Sequence, residues 1–107
     1  MERFYDKLPE ELLEGPNYYF GRGSIFLFHA FLDGWFAYRK HVISIEECPE
    51  HRFLKEFEKW AQEKQRFNFA ISWSKNYFIF AANEYDALKN CLNEMIEFRD
   101  HHFNKDG

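Results

Sequence analysis

Residues 24–41, SIFLFHAFLDGWFAYRKH, constrain the fold more than any other stretch of this chain. Two foldings fit it. As a hairpin, Ile25–Leu32 and Trp35–Arg39 are strands joined at Asp33-Gly34, a dipeptide suited to a type I′ turn. As a helix, Ser24 is the N-cap and Arg39, Lys40 and His41 sit near the negative end of the helix dipole. Alternation decides between them. From Ile25 to Leu32 only His29 is polar, whereas a half-buried strand carries a polar residue at every second position. The segment therefore predicts one helix, apolar on all faces, central and largely buried. Gly34 inside such a helix costs about 1 kcal/mol relative to alanine, which predicts a close helix–helix approach at that point.

The remaining segments read as helices around it. Phe4, Leu8, Leu12 and Leu13 recur at helical spacing, with Pro9 placed to open a first helix over 9–14 and Gly15-Pro16 to stop it. Residues 17–24 form an aromatic, glycine-bearing loop. Over 49–64, Phe53, Leu54, Phe57, Trp60 and Ala61 share one face, opposite Glu56, Lys59, Glu63 and Lys64. Trp73, Tyr77 and Phe80 suit a short helix over 73–81. Asn83 is an N-cap residue for a last helix over 84–101, with Glu84 and Asp86 in its first turn and a stripe of Tyr85, Leu88, Leu92, Met95 and Arg99. The tail after His102 reads as frayed. The fold class is all-α, one domain over 1–107, a compact bundle of four or five helices. The alternative is an α+β chain with the hairpin at Asp33-Gly34.

Composition narrows the function. Net charge is −4, the wrong sign for a general nucleic-acid binder or a polybasic membrane anchor. No run of about 18 uncharged apolar residues spans a bilayer, and the charged N-terminal segment does not read as a secretory signal. Cys48 and Cys91 form no Cys-x-x-Cys pair and read as free, reduced thiols of a cytoplasmic protein. Aromatic residues reach 21%, and each ring buries about 150–250 Å², so a domain of this size has rings to spare for a partner.

Catalytic patterns are sparse. The five histidines, His29, His41, His51, His101 and His102, show no metal-ligand spacing. Ser24, Ser72 and Ser74 lack a nucleophile-elbow context, and Gly21-x-Gly23 lacks the third glycine of a phosphate loop. Cys48 follows Glu46 and Glu47, a setting that disfavours a thiolate. The expectation is a protein with no catalytic residues, no metal and no cofactor. A hydrolase built on His29 or Cys48 is the remaining catalytic reading.

The acidic groups point to binding. Glu10, Glu11 and Glu14 cluster in the first helix, and Glu94, Glu97 and Asp100 line one flank of the last. With the rings of Tyr18 and Tyr19 as anchors, these residues form the expected partner-binding set. Carboxylates can replace a polyanion in a basic groove and steer association.

A family pattern runs through much of the chain. Gly15, Pro16, Tyr18, Tyr19 and Gly21 match an Arg-Pro-Gly-Met-Tyr-x-Gly-like entry, without its arginine. Ala30, Phe31, Leu32, Asp33, Gly34 and Trp35 match the helix that follows it. Phe53, Phe57 and Trp60, then Ser72-Trp73, then Glu84, Tyr85, Ala87 and Leu88 recur in similar order. This order resembles that of small helical bacterial immunity proteins of contact-dependent growth inhibition and related polymorphic toxin systems. The resemblance implies an antitoxin that covers the active site of a cognate toxin, a basic nuclease such as an RNase, without itself contacting nucleic acid or membrane. The alternative is an acidic regulatory or scaffolding adaptor for an endogenous protein.

Overall fold

The computed structural model describes residues 3–15, 23–40, 48–65, 67–68 and 70–103. Among them are five helices and no strand: α1 (Phe4–Glu14), α2 (Ile25–Lys40), α3 (Pro49–Gln65), α4 (Trp73–Ile79) and α5 (Glu84–His101). The hairpin at Asp33-Gly34 is not formed, because α2 runs unbroken through that dipeptide.

Helix α5 is the central post, touching each of the other four. Its start is fixed by Asn83, whose side chain accepts from the Asp86 amide at 2.8 Å, while the Asp86 carboxylate accepts from the Ala82 amide. Ala87, Leu88, Cys91, Leu92, Met95, Phe98 and Arg99 form its buried stripe. Tyr85 is not part of it and stands exposed. From α3, Phe53, Phe57 and Ala61 meet this stripe. Tyr5 stacks on Phe53 with centroids 4.2 Å apart, and Phe98 and Phe103 close edge-on around Phe53. Phe103 is thus a core residue rather than the start of a frayed tail. The rest of the tail, 104–107, lies outside the described residues.

Helix α1 begins at Phe4, five residues before the expected start, so Pro9 lies inside it. A proline there cannot donate to the carbonyl four residues back, which is that of Tyr5. Arg99 supplies the missing donor: Nη1 donates to Tyr5 O at 2.9 Å and to Asp6 O at 3.1 Å. The same guanidinium grips Glu10 bidentately, at 2.8 and 2.6 Å, and Asp100 through Nε. Arg99 is only 9% exposed. It is the bolt between the first and last helices.

Helix α2 differs from expectation in two respects. Ser24 caps it as anticipated, buried, accepting from the Phe26 and Leu27 amides and donating to Glu84 on α5. Ile25, Phe28 and Leu32 face the core, but Ala30, Asp33, Gly34, Ala37 and Tyr38 lie exposed. The helix is apolar on all faces yet buried on one. A Cβ added at Gly34 would meet nothing within 4 Å, so the expected close approach is absent and the glycine meets no steric demand. Helix α4 is reached through a loop held by Asn76. Its buried amide donates to Asn68 O, Ile71 O and Ser72 O and accepts from the Asn68 amide. α4 ends at Ile79, two residues early, which turns Phe80 outward.

Arg99→Ala should destabilise the protein by about 2–4 kcal/mol, since it strands the buried Tyr5 carbonyl opposite Pro9 and removes the guanidinium that Glu10 and Asp100 share. Gly34→Ala should stabilise it by about 0.5–1 kcal/mol, because only the unfolded chain loses freedom. Urea unfolding measures both, and the opposite sign in either would contradict the packing described.

Candidate functional site

Where α4 passes into α5, four large apolar side chains stand in solvent within eight residues: Phe78, Ile79, Phe80 and Tyr85. Lone exposed apolar residues are ordinary, but a contiguous group is a candidate interaction surface. The cause is local. With the early end of α4, Trp73 and Tyr77 are its only large apolar side chains that point inward, leaving the Phe78-Ile79-Phe80 run to face water. Phe26 of α2 extends the surface by packing against Phe78 at 5.2 Å, and Phe80 lies nearly parallel to Phe67, 6.2 Å away.

Beside Phe80 lies a cavity of about 300 Å³ bordered by Gln65, Phe67, Tyr77, Asn90, Asn93 and Glu94. The Glu94 side chain is 12% exposed, and its Oε2 lies 3.3 Å from Lys64 Nζ and accepts from Gln65 Nε2. Lys64 also bonds Glu97 at 2.7 Å. Two carboxylates share one ammonium there, which leaves the edge net negative. The Lys64 ammonium holds the Glu97 carboxyl below its ordinary value, and Glu97 in turn raises Lys64. Burial first, then Cys91 and the Glu94 carboxylate, push the Tyr77 phenol far above its ordinary value. The Glu94 carboxylate faces the Tyr77 phenol as its hydrogen-bond partner.

The expected partner-binding residues divide into three groups. Glu10 and Asp100 converge on Arg99, and the hydrogen bond from Arg99 holds the Glu10 carboxyl below its ordinary value. Glu94 and Glu97 converge on Lys64. Glu11 and Glu14 are exposed on α1. The structure thus brings α1 and α5 side by side, with much of their acidity engaged by one internal cation on each flank. Tyr18 and Tyr19 lie outside the described residues. The Phe78–Phe80 surface was missed in the sequence because a helix over 73–81 would have turned Phe80 inward.

A second concavity, about 600 Å³, lies between α2, α3 and the start of α4, lined by Phe36, Leu54, Trp73, His29, His51 and Glu58 among others. Within it His29 Nδ1 meets Ser74 Oγ at 2.6 Å and His29 Nε2 lies 3.5 Å from Asp33 Oδ2. These are the residue types of a hydrolytic triad. Ser74, however, is 2% exposed, so its hydroxyl has no open path to a substrate carbonyl and serves to orient the imidazole against Trp73. Burial raises the Glu58 carboxyl. Cys48 and Cys91 are both buried and unpaired by disulfide, and burial pushes the Cys91 thiol well up. Among the described residues no cluster of His, Cys, Asp or Glu could hold a metal, and no helix is long and apolar enough to cross a membrane.

Comparison with protein-family models, curated proteins and solved structures finds no match to this chain.

Glu10 and Glu97 set an acid limit. Each has a folded value below the ordinary 4.5, so the stability each adds is present above about pH 4.5 and is lost as pH falls through the folded values. Thermal midpoints measured from pH 6 downward should therefore fall, and Glu10→Gln should flatten that slope. An unchanged slope would show that the Arg99–Glu10 pair is not formed in solution.

Proposed function

We propose that this protein is a cytoplasmic immunity protein that binds a cognate bacterial toxin, a basic nuclease such as an RNase, and covers its active site. The observation that carries the proposal is the exposed Phe78-Ile79-Phe80 surface lying against the net-negative Glu94–Lys64–Glu97 edge. Interfaces of this kind gain most of their free energy from a few buried aromatic anchors. Charged edges contribute partner choice and association rate. A groove shaped for phosphate presents Lys and Arg, and carboxylates beside aromatic anchors complement it in both charge and stacking. The family resemblance in residue order supports the same reading.

The acidic set on α1 and α5 enters this proposal in modified form. Glu10 and Asp100 are committed to Arg99, so charge reversal there disturbs the bundle as well as any interface. Glu14, and Glu97 whose pair with Lys64 lies in solvent, are the cleaner positions for testing electrostatic steering.

Co-expression with the cognate toxin domain should protect cells. Ile79→Asp with Phe80→Glu should weaken toxin binding by about 2 kcal/mol or more, roughly thirtyfold, with circular dichroism unchanged. Glu97→Lys should slow association and reduce its salt sensitivity. Full protection by the double variant would overturn the assignment of this surface. Absence of protection by the native protein would overturn the antitoxin reading and favour an adaptor with an endogenous partner.

A further inference from the structure

The cavity of about 600 Å³ between α2, α3 and the start of α4 follows from the packing: α2 and α3 both lie on α5 and barely touch each other. Its apolar walls are the rings of Phe36 and Trp73, the Leu54 side chain and the exposed Ala37. A volume of about 300–1,000 Å³ with apolar walls and a few convergent polar groups is what a small-molecule site requires. Most of the polar groups here are already engaged or stand in water. His29 is held by Ser74 and Asp33, His51 meets Phe36 edge-on, and Lys55 is exposed. Glu58 differs. It is half-buried, yet among the described residues it makes no hydrogen bond and no ion pair. Neither of its oxygens is sealed, so both can be reached from the cavity. Burial raises its carboxyl, the Lys55 ammonium opposes this from beyond ion-pair distance, and the Asp33 carboxylate adds a smaller rise.

An apolar cleft that ends in an accessible, unpaired carboxylate fits an organic cation with a flat body. An anion would meet Glu58 and Asp33 with only Lys55 in its favour. A neutral apolar molecule would dehydrate the carboxylate without pairing it, which is costly. We propose that this cavity binds a small aromatic ammonium. The ring lies among Phe36, Leu54 and Trp73, and the ammonium donates to Glu58, with Asp33 as a second negative charge at the mouth. A charge-assisted hydrogen bond of this kind is about twice as strong as a neutral one, and the ring walls favour an aromatic body over an alkyl chain. The inference stands apart from the toxin reading, since it uses none of the residues assigned to the partner surface.

The test titrates the isolated protein with three probes of similar size: 2-phenylethylammonium, the neutral 2-phenylethanol and the anionic 3-phenylpropanoate. NMR should show saturable shifts of the His29, His51 and Trp73 ring signals with the ammonium. The alcohol should bind roughly tenfold more weakly, the factor expected for losing one charge-assisted hydrogen bond, and the carboxylate more weakly still. Glu58→Gln should cut the ammonium affinity by about the same factor and leave that of the alcohol unchanged. The bound ammonium should also lower the pH at which the Glu58 carboxyl titrates, because it favours the charged form. Ala37→Trp, at an exposed wall, should block the ammonium and the alcohol alike with an unchanged thermal midpoint. Equal affinity for ammonium and alcohol, or indifference to Glu58→Gln, would reduce the cavity to an apolar cleft and overturn the proposal. Shifts away from the cavity, or no response, would overturn it as well.

Discussion

The fold turns on one guanidinium. Pro9 opens a gap in the hydrogen-bond ladder of α1, and the orphaned Tyr5 carbonyl would be costly to bury alone. Arg99 fills that gap from the last helix and fixes Glu10 and Asp100 at the same time. A buried ion pair of this type is weak evidence for net stability, since an apolar replacement of equal volume could do as well. Its role is positional: only one register of α1 against α5 places a proline gap, a carboxylate and a guanidinium together. The stacked Tyr5 and Phe53 rings depend on that register.

Elsewhere the same division of labour holds between apolar bulk and single polar anchors. The Phe53, Phe57 and Phe98 cluster supplies burial without direction. Direction comes from Ser24 bonded to Glu84, from Asn76 holding the loop before α4, and from Ser74 bonded to His29. Each links α2 or α4 to a neighbour at one point, and together they place the α4–α5 corner where its rings must face water. The exposed aromatic surface is thus a consequence of how α4 is tethered and where it stops.

How much of this was legible in the residues depended on the range of the interactions. The α3 face, the Asn83 and Ser24 caps and the buried stripe from Leu88 to Arg99 follow from spacing and local chemistry, and they appear as read. Local pattern places Pro9 at a helix start because its rescuing donor lies 90 residues away. Gly34 suggests a contact point in the sequence but faces open space in the fold, because a glycine does not say which side of its helix is covered. Phe80 and Phe103 exchanged expected roles for a similar reason: the last turn of a helix and the first residue after it are decided by packing. For the candidate site, the acidic positions on α1 and α5 were visible, but their internal cations were not. Lys64 reaches Glu97 across 33 residues, and only the fold shows that Lys64 and Gln65 also meet Glu94.

The long reach of Arg99 also bears on synthesis. The residues it joins are 89 to 94 apart, so no earlier part of the chain can close the Pro9 gap. During translation, which delivers N-terminal segments first, α1 must wait with an open carbonyl until α5 has emerged. A helix with a proline in its interior and no tertiary partner is a poor helix. The nascent segment therefore stays uncommitted, and α1 docks as one of the final events of folding rather than as its seed.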